Sequence, residues 1–336
     1  MDNSQQQPRI KFKSTQHWQE YLNRLKQEAG GAPININFAA NRIACYKEIE
    51  ILRGRPLLVY ATKFVNLNLP PLPIAIPNSI EISDIDGFTD LVNTIPTDKK
   101  SVDILIHSPG GKPDATERLV ILLRQRFDEV HFLVPHSAYS AATMLALSGN
   151  TITLHSSATL GPIDPQINGR PARSIKKGFE KVRDQLKNTG AASLPAYVPL
   201  LEKLSLELLE ICDDSEALSK ELVGEWLRSY MLSTEEYPGQ IEQVVDFFSD
   251  YDSHKIHSRP LVLSKLKEFK LKIDLAAPDL AELMWDAYIQ LDNFFAMTNF
   301  VKLYENTYGV SWGRNLNIQL APQSMGPQKG VNQIMD

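Results

Sequence analysis

An α/β fold built on a parallel sheet is predicted by three observations. Short apolar, β-branched runs alternate with helical periodicity between residues 100 and 156. Two small-residue turns, Ser108-Pro109-Gly110-Gly111 and Tyr139-Ser140-Ala141-Ala142-Thr143-Met144, each follow one of those runs. The composition, 43% hydrophobic and 22% charged over 336 residues, is that of a globular chain large enough for an extensive core.

The alternation reads as strand 102–106, helix 114–127, strand 130–134, helix 140–148 and strand 151–155, the signature of parallel strands with helices outside. Upstream, Thr15 to Ala29 carries Trp18, Tyr21, Leu22 and Leu25 on one side of a helix, which is expected to dock on its own core or on a neighbouring subunit. A second helix is expected over Ala40 to Arg53 and a strand over Pro56 to Ala61. Met1 to Pro8 is polar, Leu69-Pro70-Pro71-Leu72-Pro73 reads as a loop, and the Gln-, Asn- and Pro-rich tail after Arg314 as loosely ordered. Beyond the two-proline loop around Asp164, helices are expected over 173–188, 196–211, 215–232 and 240–248. A long helix is expected from Pro278 to about Tyr308, with Trp285, Tyr288, Phe294, Phe295, Phe300 and Tyr304 as a possible docking stripe.

Lys and Arg total 35 against 40 Asp and Glu, a net charge of −5. Nothing resembles a basic stripe interleaved with aromatics, so nucleic acid is not an expected partner. Cys45 and Cys212 lie far apart without metal-ligand spacing, and no apolar run approaches the roughly 20 residues of a membrane helix. With no signal-peptide core at the N-terminus, the expectation is a cytoplasmic protein without cofactor. No G-x-G-x-x-G or G-x-x-x-x-G-K-[ST] loop is present, which removes the dinucleotide and P-loop readings.

The chemistry concentrates in the two turns. Glycines after Pro109 let bare amides face a ligand, and a serine at the start of the buried run Ala141 to Leu147 places a hydroxyl at a helix N-terminus, where negative charge is favoured. Ser140 is the candidate nucleophile; Gly110 or Gly111 together with Ala141 are the candidate oxyanion donors. Ser140 could instead be chosen only to cap a buried helix.

On Leu105 to Gly111, Val134 to Met144 and Leu160-Gly161-Pro162-Ile163-Asp164-Pro165-Gln166-Ile167, the chain resembles the serine dehydrogenase proteinase family, a branch of the Clp-protease and crotonase-like fold that includes signal peptide peptidase A. The resemblance implies a Clp/crotonase-like spiral of ββα units in two stacked sheets with an additional helical C-terminal region, and assembly into homo-oligomers. It divides the chain into an N-terminal arm (1–54), a core domain (55–275) and a C-terminal helix and tail (276–336). It also implies a serine peptidase in which Ser140 attacks a short or unfolded polypeptide, with an adaptor or ATPase supplying any unfolding. Ala142 departs from the family, which has glycine there, and would be harmful only if its φ must be positive.

A base must take the Ser140 proton. Related proteases use a lysine some way beyond the serine, which makes Lys181 the nearest match, with Lys176 and Lys177 as alternatives; a working lysine must be desolvated. His257 is a second candidate, forming with Asp164 a set in which the Clp-type positions of histidine and aspartate are exchanged. A third reading leaves Asp164 as a loop holder in an Asx-type turn, with His107 and His136 satisfying backbone groups. Two rival functions keep the fold: an acyl-thioester enzyme of crotonase type, and a non-catalytic oligomeric scaffold.

Overall fold

The computed structural model describes residues 9–32, 37–65, 76–190, 193–201, 205 and 207–316. Met1 to Pro8, the proline cluster at 69–73 and the tail past Leu316 lie outside them. In chain order the elements are α1 (Thr15–Glu28), α2 (Phe38–Arg53), β1 (Leu57–Thr62), α3 (Asp84–Asn93), β2 (Ser101–His107), α4 (Pro113–Arg126), β3 (Glu129–Val134), β4 (Ser137–Ala138), α5 (Ala141–Leu147), β5 (Thr151–Leu154) and β6 (Thr159–Leu160). There follow β7 (Gln166–Ile167), β8 (Arg170–Pro171), α6 (Ala172–Thr189), α7 (Leu194–Leu201), α8 (Glu207–Trp226), α9 (Gln240–Ser249), α10 (Tyr251–His254), α11 (Leu263–Leu266), β9 (Ile273–Leu275), α12 (Pro278–Met297), β10 (Phe300–Asn306) and β11 (Ser311–Asn315).

The main sheet runs β11-β10-β1-β2-β3-β5-β9. Strands β1, β2, β3, β5 and β9 are parallel, and β10 and β11 extend one edge antiparallel. Period-two alternation sends successive side chains to opposite faces. Leu58, Tyr60, Val102, Ile104, Ile106, Val130 and Phe132 enter the larger core beneath α3, α4, α5, α8 and α9. Leu57, Val59, Ala61, Leu105 and Leu133 meet α2 and α12 on the other face. The second layer of the spiral is small: β4 pairs parallel with β6, and Ser108 bridges Ala138. It lies just past the carboxyl ends of the parallel strands, where ligands of open α/β sheets collect.

Helix α1 buries Trp18 and Leu22 against Phe12 and Ile289 of its own chain. A continuous helix over 196–211 is not formed: α7, which contains Pro199, ends at Leu201, Ser205 is not helical, and α8 starts at Glu207. The long helix to Tyr308 is also corrected. Helix α12 stops at Met297, and Phe300 and Tyr304 belong to β10.

The alternation of β10 was masked because its polar residues are buried on both faces. Lys302 Nζ donates to both Asp84 oxygens at 2.8 and 2.9 Å, with the pair 1% and 0% exposed. Asp84 also accepts from the Tyr60 hydroxyl, the Tyr304 hydroxyl and the Glu81 amide. On the opposite face, Glu305 takes a two-point contact from Arg42 at 2.9 and 2.7 Å and a hydrogen bond from Tyr46. Removing one member strands a buried charge. Asp84→Ala is therefore expected to cost about 3–5 kcal/mol, read from the urea midpoint, and an unchanged midpoint would refute the network's role.

Candidate active site

Strand β2 ends at His107 and hands the chain to the glycine turn, which the β4 segment grips from the side. The Ser108 amide donates to Ser137 O (3.1 Å) and the Tyr139 amide to Ser108 O (3.1 Å). Gly110 has φ +94°, and a Cβ built on it would lie 2.3 Å from Tyr139 O, 2.7 Å from the Ala141 nitrogen and 2.8 Å from Ser140 Cβ. The two motifs are thus in backbone contact.

Ser140 stands between β4 and α5 with φ 51° and ψ −124°. A positive φ is costly for a non-glycine residue and has to be held by its surroundings. Here the restraint comes from Ala142 N donating to Tyr139 O (2.9 Å), Met144 N donating to Ser140 O (3.0 Å), and the fully buried helix α5. The turn brings the Ser140 Cβ against the glycine loop. Ala142 is helical and has no positive φ, so the alanine is accommodated without strain. Ala142→Gly should therefore cost about 1 kcal/mol in thermal unfolding without raising activity; a gain of activity would show that the glycine matters here.

The amide donors differ. Gly110 N donates to Ser108 Oγ at 3.1 Å, whereas among the described residues no acceptor engages the amides of Gly111 or Ala141. Ile80 fixes this loop from outside: its amide donates to Gly110 O (2.7 Å) and its carbonyl accepts from Lys112 N (2.9 Å). Because the peptide unit is planar and trans, a Gly110 carbonyl turned to Ile80 turns the Gly111 N–H the opposite way. Sequence reasoning missed Ile80, which lies 28 residues upstream of Ser108 and carries no chemical signal of its own.

Asp164 and His257 meet although 93 residues apart, with His257 Nδ1 2.8 Å from Asp164 Oδ1. Asp164 is buried at 4% side-chain exposure, while His257 is 24% exposed. A carboxylate facing a ring nitrogen accepts from it, so Nδ1 is the side of the His257 ring that Asp164 engages, and Nε2 is left outside this contact. Gln166 Nε2 donates to the other carboxylate oxygen at 2.9 Å. The partners of Asp164 are side chains rather than the backbone of an Asx-type turn.

The lysines sit differently. Lys176 is held by Asp213 and Glu216 at 2.5 and 2.7 Å, and those carboxylates raise its pKa, the wrong direction for a base. Lys177 pairs with Asp252, and Lys181 is exposed on α6. Burial does lower the pKa of Lys63, which sequence reasoning passed over, but its Nζ donates to Thr298 O just past α12.

His107 and His136 form an aromatic pile beside the turn, and His107 also makes a hydrogen bond with the Ser137 backbone. His136 stacks on Tyr288 at 4.6 Å and its Nδ1 lies 2.7 Å from Ser137 Oγ. His107 is 2% exposed and packs against Phe64 and Tyr288. Burial, reinforced by His136 and opposed by a hydrogen bond with the Ser137 backbone, pushes its pKa down to about 3. The unfolded chain takes up that proton near 6.5 and the folded one resists it to about 3. Stability is therefore complete above pH 6.5 and is lost as pH falls from 6.5 toward 3, by up to about 5 kcal/mol from this group. Denaturant titrations across that range should show the slope, and His107→Phe should flatten it; an unaltered slope would contradict the assignment.

The sheet order, with the serine-bearing turn at the carboxyl ends of its parallel strands, defines an α/β chain of the ClpP-like class. Residues 35–237, more than half of the chain, match the family described as ClpP-like SDH-type serine proteinase, and the chain belongs to that family. Two uncharacterized proteins of Methanocaldococcus jannaschii are similar to it. One is 28% identical over 247 residues, covering 70% of this chain and 73% of the relative; the other is 28% identical over 204 residues, covering 58% and 70%. Among solved structures, a variant of the 1510-N membrane-bound stomatin-specific protease is 18% identical with a TM-score of 0.36, covering 60% of this chain and 77% of that one. The ClpP protease catalytic domain of Plasmodium falciparum is 12% identical with a TM-score of 0.34, covering 74% and 95%. Likenesses this distant carry no argument about residues. Among the described residues no helix is long and apolar enough to cross a membrane, and no group of His, Cys, Asp and Glu could hold a metal ion.

Proposed function

We propose that the protein is a serine peptidase acting on short or unfolded polypeptides, with Ser140 as nucleophile. The observation that carries this reading is the strained Ser140 turn, φ 51°, pressed against Gly110. Strain of this kind persists only where the surroundings enforce it. A helix-capping serine needs no positive φ, and Ser140 makes no side-chain cap hydrogen bond. The tetrahedral oxyanion would be taken by the Ala141 amide and by the Gly110-Gly111 loop, where Gly111 is unengaged.

His257 is the base in this proposal. Asp164 holds its Nδ1–H and leaves Nε2 to accept the Ser140 proton, return it to the leaving amine, and then activate the water that releases the acyl group. Lys181 is exposed, and Lys176 and Lys177 are already paired with carboxylates, so none offers the desolvated amine the alternative requires. The thioester and scaffold readings leave the Ser140 strain without a use.

The test is modification by a fluorophosphonate probe followed by peptide mapping, on the wild type and on Ser140→Ala, His257→Asn and Lys181→Ala. Labelling at Ser140 that is lost with His257→Asn and kept with Lys181→Ala is expected. Absence of labelling in the intact wild-type protein would remove the peptidase reading, and loss with Lys181→Ala alone would move the base.

A further inference from the structure

The two halves of the proposed machinery come from different parts of the chain, so something must set their spacing. We infer that Thr143 is a positioning residue whose hydroxyl fixes Ser140 relative to the Asp164–His257 pair; this rests on the peptidase reading above.

Thr143 lies three residues after Ser140 on α5 and is 0% exposed. Its Oγ1 donates to Ala138 O at 2.7 Å and accepts from Gly161 N at 3.1 Å. Gly161 N also reaches Ala138 O at 3.0 Å. One hydroxyl thus joins the strand before the nucleophile, the helix after it, and the loop that reaches Asp164 three residues later. The approach is close: a Cβ on Gly161 would fall 2.6 Å from the Tyr139 ring. A weaker second tie is Tyr139 OH to Thr159 Oγ1 at 3.1 Å.

The loop continues the linkage outward. Leu160 O accepts from Leu261 N at 2.8 Å, and the two residues form an antiparallel bridge. Leu261 is four residues past His257, so the 160–164 loop is fastened to both the aspartate and the histidine segment. A shift of this loop against α5 moves the pair as a unit relative to Ser140, and a misplacement of about 1 Å can cost on the order of 100-fold.

Thr143→Val separates positioning from stability. Its methyl replaces the hydroxyl at similar size, and Gly161 N and Ala138 O keep each other, so no buried backbone group is orphaned. The side-chain hydrogen bond itself is worth only about 1 kcal/mol.

The experiment measures fluorophosphonate labelling and, with a peptide ester, kcat and KM separately for wild type, Thr143→Val, Thr143→Ser, His257→Asn and the Thr143→Val/His257→Asn double variant. Thr143→Val is expected to lower kcat and the labelling rate about 30- to 100-fold with KM within about twofold, and Thr143→Ser to recover most of the loss. Because Thr143 acts through the pair, the double variant should be no slower than His257→Asn alone. If wild type does not label, the peptidase reading has failed. If wild type labels and Thr143→Val labels as fast, if serine fails to rescue, or if the two substitutions add, the positioning role is overturned.

Discussion

Ser140→Ala should lose peptide hydrolysis by about 10⁴-fold or more and should take up no fluorophosphonate, with its unfolding temperature essentially unchanged. The size of the effect follows from the division of labour at the site. The amides of Ala141 and Gly111 survive the substitution, so some stabilisation of a hydrated carbonyl remains, but no covalent step is possible. Alanine keeps the Cβ and hence the strain at φ 51°. Ser140→Gly removes both the hydroxyl and the strain, and should be equally inactive yet more stable by about 1 kcal/mol. His257→Asn should fall nearly as far as Ser140→Ala, because residues acting as a unit do not contribute additively. Initial rates on a peptide ester and calorimetric melts of the three variants check this. An active Ser140→Ala protein, or a Ser140→Gly protein less stable than wild type, would contradict the assignment of the strain to the nucleophile.

The central sheet was readable because its signals are local. The apolar runs and helical periodicity between residues 100 and 156 place β2, α4, β3, α5 and β5 within one residue of the observed ends. The glycine turn and Ser140 were readable for the same reason. The break of the helix over 196–211 lies beside Pro199, whereas the other corrections involve distant partners. Strand β10 reads as helix in the sequence because Lys302 and Glu305 look solvent-facing until Asp84 and Arg42 are brought to them by folding. The choice among bases stayed open because Lys181, Lys176, Lys177 and His257 all have suitable chemistry in isolation. Only the fold separates an exposed lysine from a histidine held by a buried carboxylate 93 residues away. Thr143 was visible inside its motif, but its partner Gly161 gives no side-chain signal.

Gly110→Ala should destabilise the protein by about 3–5 kcal/mol and abolish probe uptake. Two independent costs add there. The backbone at φ +94° is one that L side chains rarely adopt, and the new methyl would lie against Tyr139 O, the Ala141 nitrogen and Ser140 Cβ, all within 2.8 Å. Two of these are backbone atoms and the third is fixed by the strained turn, so no rotamer change relieves the clash. The glycine turn must move away from Ser140, which opens the gap between the oxyanion donors and the nucleophile. Gly178→Ala is the matching control: it lies within α6, a Cβ there meets nothing within 4 Å, and the change should stabilise by about 0.5–1 kcal/mol with activity intact. Urea denaturation gives the stabilities, and labelling at low temperature, where the Gly110→Ala protein is still folded, separates geometry from unfolding. If that folded protein labels at the wild-type rate, close contact between the glycine turn and Ser140 is not what builds the site. If it is folded and silent, the methyl has disabled chemistry through a displacement of the backbone alone.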